Sequence, residues 1–244
     1  MGMTTGSEGR ENKGRRVVYD GYYKIEVVTI LGRKRETICK GNTVTILLYD
    51  RKNRKAALVR QPREAMITDE NPGGLITEPV AGMMEPNVSV KALAVKEAWE
   101  EARVLITEDD VEVLNQGRPM ATSPGTLTEF GYLCYAEFNP DLMEQGDRES
   151  SAEGEDERCR RVLLSEDELR SYVCEDMRAF ALIQYLLRKL KSERVNEWLG
   201  QFLSRCEKMV ADESQKLPAA VQLWRIEEAH DVYLAERERE KGGE

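Results

Sequence analysis

The residues of this chain best placed to do chemistry are carboxylates. Glu97, Glu100 and Glu101 lie in the run Lys96-Glu-Ala-Trp-Glu-Glu-Ala-Arg-Val104. On a helix, residues three and four apart share a face, so these side chains would crowd like charges together. Such crowding is unfavourable unless a positive charge lies between them. Mg2+ is a hard cation that takes oxygen ligands and shares itself between carboxylates, water and substrate phosphates. Ions of this kind polarise phosphoryl groups for attack by water. The plain alternative is a solvated acidic helix face, with Lys96 and Arg103 as counter-charges.

That chemistry needs a helix, and the spacing predicts one over 89–101. Ser89 is its candidate N-cap, and Ala92, Val95 and Trp99 recur at intervals of three and four, with Leu93 widening the apolar face. Upstream, Val17–Ile30 is rich in β-branched and aromatic residues and reads as one or two strands, with Arg35–Cys39 as a short partner. Thr43–Tyr49 and Lys55–Arg60 form a hairpin, the first of them a central strand. Residues 61–74 are loop, marked by Pro62, Pro72 and Gly73-Gly74, with an edge strand at Ala65–Ile67.

Downstream, strands are expected at Asp110–Leu114, Glu129–Phe138 and Arg161–Leu164. Residues 139–157 are polar and acidic without periodicity, which suits a functional loop or an unstructured one. Ser165-Glu-Asp-Glu168 has capping-box spacing. Helices follow over 176–190, 195–209 and about 219–240, the second with an apolar stripe of Trp198, Leu199, Phe202 and Leu203 suited to packing or dimerisation.

Bulk composition narrows the function classes. The net charge of -9 leaves no basic surplus to neutralise a nucleic-acid backbone. It leaves room for a small phosphate compound held locally by arginines. The five cysteines are scattered without a CxxC pair and His230 is the single histidine, which argues against a Cys/His zinc site. Residues 1–16 are polar, with no apolar leader or membrane span. They read as a disordered tail, and the chain as cytoplasmic.

Residues 82–104 resemble the Nudix box. In that pattern a glycine precedes a glutamate, then Arg-Glu, a Glu-Glu pair, a second glycine and an aliphatic residue at fixed spacing. Gly82, Glu97, Glu100, Glu101 and Val104 match it, while Val88 replaces the first glutamate, Lys96 the arginine and Arg103 the second glycine, and Ala98 is a small residue at an aliphatic position. Four flanking pieces are similar to the ADP-ribose and nucleotide-sugar pyrophosphatase branch of the family, and within it to the type that cleaves GDP-mannose. They are Leu58-Val-Arg-Gln-Pro-Arg63, Glu78-Pro-Val-Ala-Gly82, Ser123-Pro-Gly-Thr-Leu-Thr-Glu129 and the acidic Glu153–Glu157. At Arg103 the helix must either run on through Val104 or end in a turn whose geometry favours glycine.

The resemblance implies an α/β fold, a Nudix-type α/β/α sandwich with a mixed β-sheet over 43–190. It adds an N-terminal strand extension, 17–42, of the kind this branch exchanges between subunits of a homodimer. Residues 191–244 lie beyond the resemblance and read from their own pattern as a helical C-terminal extension. It implies Mg2+, with Mn2+ as a substitute, held by Glu97 and Glu101 with help from Glu100 and the Ala81 carbonyl. Arg60 and Arg63 would hold the diphosphate and Glu129 would contact substrate. Glu155 or Glu157, with Glu153 as a third candidate, would serve as base. The activity implied is hydrolysis of a nucleoside diphosphate compound, ADP-ribose or a sugar nucleotide such as GDP-mannose, to a nucleoside monophosphate and a sugar phosphate. The alternative is a Nudix-like nucleotide-binding or scaffold protein of little or no activity.

Overall fold

A computed structural model of the chain describes residues 14–144 and 159–211. The chain divides into two units, 1–187 and 188–244. Among the described residues the first carries two sheets. Strands β1 (Arg15–Asp20), β2 (Lys24–Ile30) and β3 (Arg33–Cys39) form a small antiparallel sheet in sequential order. The first strand begins before Val17, where the β-branched pattern starts, because Arg15 and Arg16 pair with Val28 and Val27.

The larger sheet is mixed. Its main path runs β11 (Arg160–Ser165), β5 (Lys55–Pro62), β4 (Thr43–Asp50), β10 (Phe130–Glu137) and β8 (Val111–Val113). Only β4 and β10 run parallel in this path; the other pairs are antiparallel. All eight residues of β4 are buried, as a central strand covered on both faces requires. The β4–β5 hairpin pairs from Asp50/Lys55 to Leu48/Ala57. Beyond that point β6 (Leu75–Glu78) pairs with β5, and β7 (Val80–Met83) pairs with β4. The two short strands thus occupy the opening between the hairpin arms, with Pro79 between them. Residues 120–121, as β9, pair with the start of β10.

Strand alternation sorts side chains onto two faces. Val44, Ile46 and Leu48, with Ala57, Val59 and Val80, pack under helix α1 (Val90–Ala102). The opposite face carries Leu47 and Tyr49, and α3 (Met177–Ala211) meets it through Tyr185, whose ring stacks edge-on against Tyr135 of β10. A helical layer on each side of the mixed sheet is the sandwich the resemblance implies. Short α2 (Glu166–Ser171) follows β11 and opens on the expected capping box, with Ser165 and Glu168 bonded reciprocally.

Two expectations are corrected. Residues 64–66 form a 3-10 turn, not an edge strand. Arg63 N–H donates to Gly74 O at 2.8 Å and Met66 N–H to Arg63 O at 2.8 Å, so the segment closes on itself and offers no ladder. The helices expected over 176–190 and 195–209 are one continuous helix, α3. The polar Lys191-Ser-Glu-Arg194 between them contains neither proline nor glycine, and such residues are tolerated in a helix.

In the second unit, Trp198 and Phe202 stack with centroids 5.4 Å apart, while Val195, Leu199 and Leu203 are exposed. The helix expected over 219–240, His230 within it, and Glu153, Glu155 and Glu157 lie outside the described residues. Among the described residues no helix is long and apolar enough to cross a membrane.

Candidate active site

Small residues bring α1 close to the sheet. Ala94, Ala98 and Ala102 repeat at intervals of four and are fully buried. A stripe without bulk lets the helix axis approach β7, so Glu97 and Glu101 on the neighbouring helical rows meet the β7 backbone. Ala98, the small residue at the aliphatic position of the box, is part of this contact.

Glu101 is 5% exposed. Its Oε2 accepts the Ala81 N–H at 3.0 Å, so Ala81 meets the site through its amide. Burial pushes the Glu101 carboxyl up to about 8; the Ala81 bond opposes the rise and the Glu97 charge adds to it. Glu97 is pressed against Gly82 so closely that a Cβ built there would overlap its carboxylate. The box glycine therefore leaves the space in which the Glu97 carboxylate sits. Its φ is not in the left-handed region.

Glu100 turns outward and lies 3.9 Å from Lys96 Nζ. Lys96 makes its shorter bond, 2.6 Å, to Glu85 Oε1 in the box loop. A lysine thus ties loop to helix where the family pattern has arginine. Val88, which replaces the first box glutamate, packs against the hydrophobic core.

The helix ends at Ala102, and Arg103 adopts the left-handed conformation at φ 53° and ψ 41°. Arg103 N–H donates to Trp99 O at 3.1 Å and Val104 N–H to Ala98 O at 3.0 Å, which closes the last turn. The left-handed cap survives the loss of glycine, and Glu101 keeps its place against β7.

The two arginines of β5 and its exit point to different faces. Gln61 is buried and shares a side of the strand with Val59, under α1, whereas Arg60 is exposed on the other side. Arg63 stands on the side of Glu101, whose carboxyl its charge lowers. Its Nε donates to Glu78 Oε1 at 2.8 Å. Glu129 is buried on the sheet face away from α1, where it accepts from Thr43 Oγ1 at 2.9 Å and pairs with Lys40 Nζ at 3.3 Å. The Ser123–Glu129 loop that carries it is sewn to β3 by Ile38 N–H to Thr126 O (2.8 Å) and Thr128 N–H to Ile38 O (3.0 Å).

Several polar residues of this region have no role assigned from the sequence, although Gln61 and Glu78 stand inside the family-like segments. Glu78, 2% exposed, accepts from Gln61 Nε2 at 3.1 Å and Arg178 Nη2 at 2.7 Å. Cys159 Sγ donates to Gln61 Oε1 at 2.9 Å and lies 3.8 Å from Glu101 Oε1. The available signal was weak: Gln61 and Glu78 are polar residues at inward positions of otherwise apolar strands.

Among the described residues no three acidic, cysteine or histidine side chains converge as a ready cation site. The donor set nevertheless fits a hard divalent ion. Glu101 is a buried carboxylate whose ionisation is disfavoured by lack of solvent and by a like charge, the two penalties a bound cation removes.

A mixed sheet between helices, with an acidic helix laid against a Gly-containing strand, is the architecture of the Nudix-type sandwich. The chain belongs to that family: the NUDIX domain matches residues 40–182. It is 32% identical over 164 residues to the GDP-mannose pyrophosphatase of Cronobacter sakazakii, covering 64% of this chain and 79% of that one. It is 28% identical over 185 residues to the GDP-mannose pyrophosphatase of an Enterobacter species, covering 70% and 91%. Among solved structures it shares its fold with an ADP compounds hydrolase at a TM-score of 0.53 and 15% identity, over 73% of this chain and 92% of that one.

Proposed function

We propose that this protein hydrolyses the diphosphate bond of a nucleoside diphosphate linked to a sugar, with GDP-mannose as first candidate and ADP-ribose as second. The carrying observation is Glu101, a carboxylate buried beside Glu97 and held to β7 by the Ala81 amide. Glu97 and Glu101 would hold Mg2+ or Mn2+, with Glu100 assisting from the exposed side and the Ala81 carbonyl as a further ligand. The ion, when bound, supplies Lewis acidity and neutralises charge on the phosphoryl oxygens.

The remaining work falls to the chain itself. Arg63 offers a planar guanidinium to the diphosphate, oriented by its Nε bond to Glu78. Arg60 would join Arg63 at the diphosphate and Glu129 would contact substrate, Arg60 and Glu129 both from the sheet face away from α1. The proton of the attacking water goes to Glu155 or Glu157, with Glu153 the third candidate. The homodimer belongs to the same proposal. Its interface would use the N-terminal sheet, where Val17, Val18 and Tyr19 are exposed in the protomer.

The test is a screen of sugar nucleotides and ADP-ribose with Mg2+, comparing wild type with E101Q. The expected result is a nucleoside monophosphate and a sugar phosphate, with turnover falling at least a hundredfold in E101Q. Turnover equal in both proteins would remove Glu101 from the chemistry. Binding of nucleotide without turnover by wild type would replace the hydrolase with a nucleotide-binding protein.

A further inference from the structure

A charged side chain buried in a sheet must be paired and fully hydrogen-bonded to be tolerated. Glu78 meets that demand with three donors: Gln61 Nε2 at 3.1 Å, Arg63 Nε at 2.8 Å and Arg178 Nη2 at 2.7 Å. Gln61 is on β5, Arg63 follows it, and Arg178 stands in the first turn of α3.

A cation in the first turn of a helix opposes the helix dipole, so Arg178 needs compensation. Asp176 supplies it. Its Oδ2 takes Arg178 Nη2 at 2.6 Å and Nε at 3.0 Å, and its Oδ1 caps the helix by accepting the Ala179 N–H at 3.2 Å. The cap therefore fixes the guanidinium against the helix end and leaves its Nη2 on Glu78. Burial opposes ionisation of Asp176, but the bonds and charge of Arg178 outweigh it and hold the carboxyl below its ordinary value. Glu78, held from the α3 side, in turn binds Arg63 by Nε, the atom that sets the plane of the guanidinium.

We infer that Arg178 is a positioning residue for diphosphate binding. From the α3 cap it holds Glu78, and through Glu78 it orients Arg63 toward the phosphates of a nucleoside diphosphate compound. The ligand class rests on the proposed function; the Arg178–Glu78–Arg63 linkage does not.

The experiment has two readouts on the full chain. The first is free of ligand: the Arg63 Nε–H resonance in 15N spectra. It is expected to be protected from solvent exchange in wild type, to broaden or vanish in R178M, and to be kept in R178K. The second is calorimetric binding of a methylene-bridged nucleoside diphosphate in Mg2+. R178M and R63M should each weaken it about tenfold, the double variant should weaken it no further, and R178K should recover most of the affinity. D176N, which keeps a helix cap but removes the charge that aims Arg178, should shift the same Arg63 resonance; it replaces R178M should that variant not fold. An unchanged Arg63 signal in the folded variant, or additive losses in the double variant, would overturn the inference. Wild type that neither binds nor cleaves diphosphates would overturn the hydrolase reading, while the Arg63 signal would still decide the linkage.

Discussion

The Arg103 guanidinium lies over the Trp99 ring, 5.4 Å from its centroid. The two residues are a helical turn apart, and Arg103 makes the contact from the left-handed conformation. Its carbonyl accepts the Glu144 N–H at 3.0 Å, and its Nε sits 4.0 Å from the Glu144 carboxylate. Left-handed geometry costs a non-glycine residue about 1–2 kcal/mol, and a partly exposed cation–π contact returns about 0.5–1 kcal/mol. Replacing Arg103 by glycine should change stability by less than about 1 kcal/mol and leave turnover intact. R103A keeps the backbone cost and loses the contact, so it should unfold about 1 kcal/mol more easily than R103G. Urea denaturation of the three proteins checks the order; R103A as stable as R103G would remove the backbone argument.

Gly82 makes the opposite case, in which the glycine matters for the space it leaves and not for its backbone conformation. A Cβ there would overlap the Glu97 carboxylate, so G82A must push Glu97 off the β7 backbone. Gly82 pairs with Val44 in a ladder that alanine can join, so the fold should persist with a loss of about 1–2 kcal/mol. Activity should fall much further, at least fiftyfold, with a weaker response to Mg2+. Turnover near the wild-type rate in G82A would show that the Glu97 position is not needed.

These two residues also mark what could be read from sequence. The α1 span was legible because Ser89 and the Ala92, Val95, Trp99 spacing are local signals, and Ser89 Oγ does accept the Ala92 N–H at 2.9 Å. The central β4 strand was legible from its unbroken apolar run. The ending at Arg103 was not decidable, since the compensation comes partly from Glu144, distant in sequence. Gln61 and Glu78 stand in the family-like segments, but their burial and mutual bonding, and the approach of Cys159 and Arg178, were illegible for the same reason. Each is ordinary alone, and only the opening of β4 from β5 brings the strand residues within reach of the α3 cap. The turn at 64–66 is not legible in the segment alone, because Gly74, beyond it, accepts the Arg63 N–H that closes it.

Glu166 should matter for stability and not for chemistry. It is 5% exposed, accepts the Tyr49 hydroxyl at 2.6 Å, and takes Arg54 through Nε at 3.0 Å and Nη2 at 2.6 Å. Tyr49 is buried in the central strand. In E166A its hydroxyl loses this partner, which costs about 1–3 kcal/mol. E166Q keeps an acceptor and should lose less, and Y49F/E166A should be no worse than E166A alone. Denaturant midpoints decide it, and equal kcat in folded E166Q and wild type is expected.

Glu101 gives the metal-free protein a distinctive pH dependence. Its carboxyl lies at about 8 in the folded chain against an ordinary 4.5, chiefly through burial. Between those values the folded state holds a proton that the unfolded state releases. Stability from this group is therefore complete below about 4.5, declines as pH rises toward 8, and changes no further above it. The full decline is roughly 5 kcal/mol at most, since a tenfold change in proton affinity is worth about 1.36 kcal/mol. A divalent ion prefers the ionised carboxylate, so it should bind with proton release and recover the lost stability at high pH. Melting temperatures of chelator-treated wild type should fall more steeply than those of E101Q across this range, since glutamine carries no proton to lose. Adding Mg2+ should raise the wild-type value most at the alkaline end and leave E101Q nearly unmoved. Parallel profiles for the two proteins would mean that Glu101 is ionised without a cation, and the case for a metal at this carboxylate would lose its physical ground.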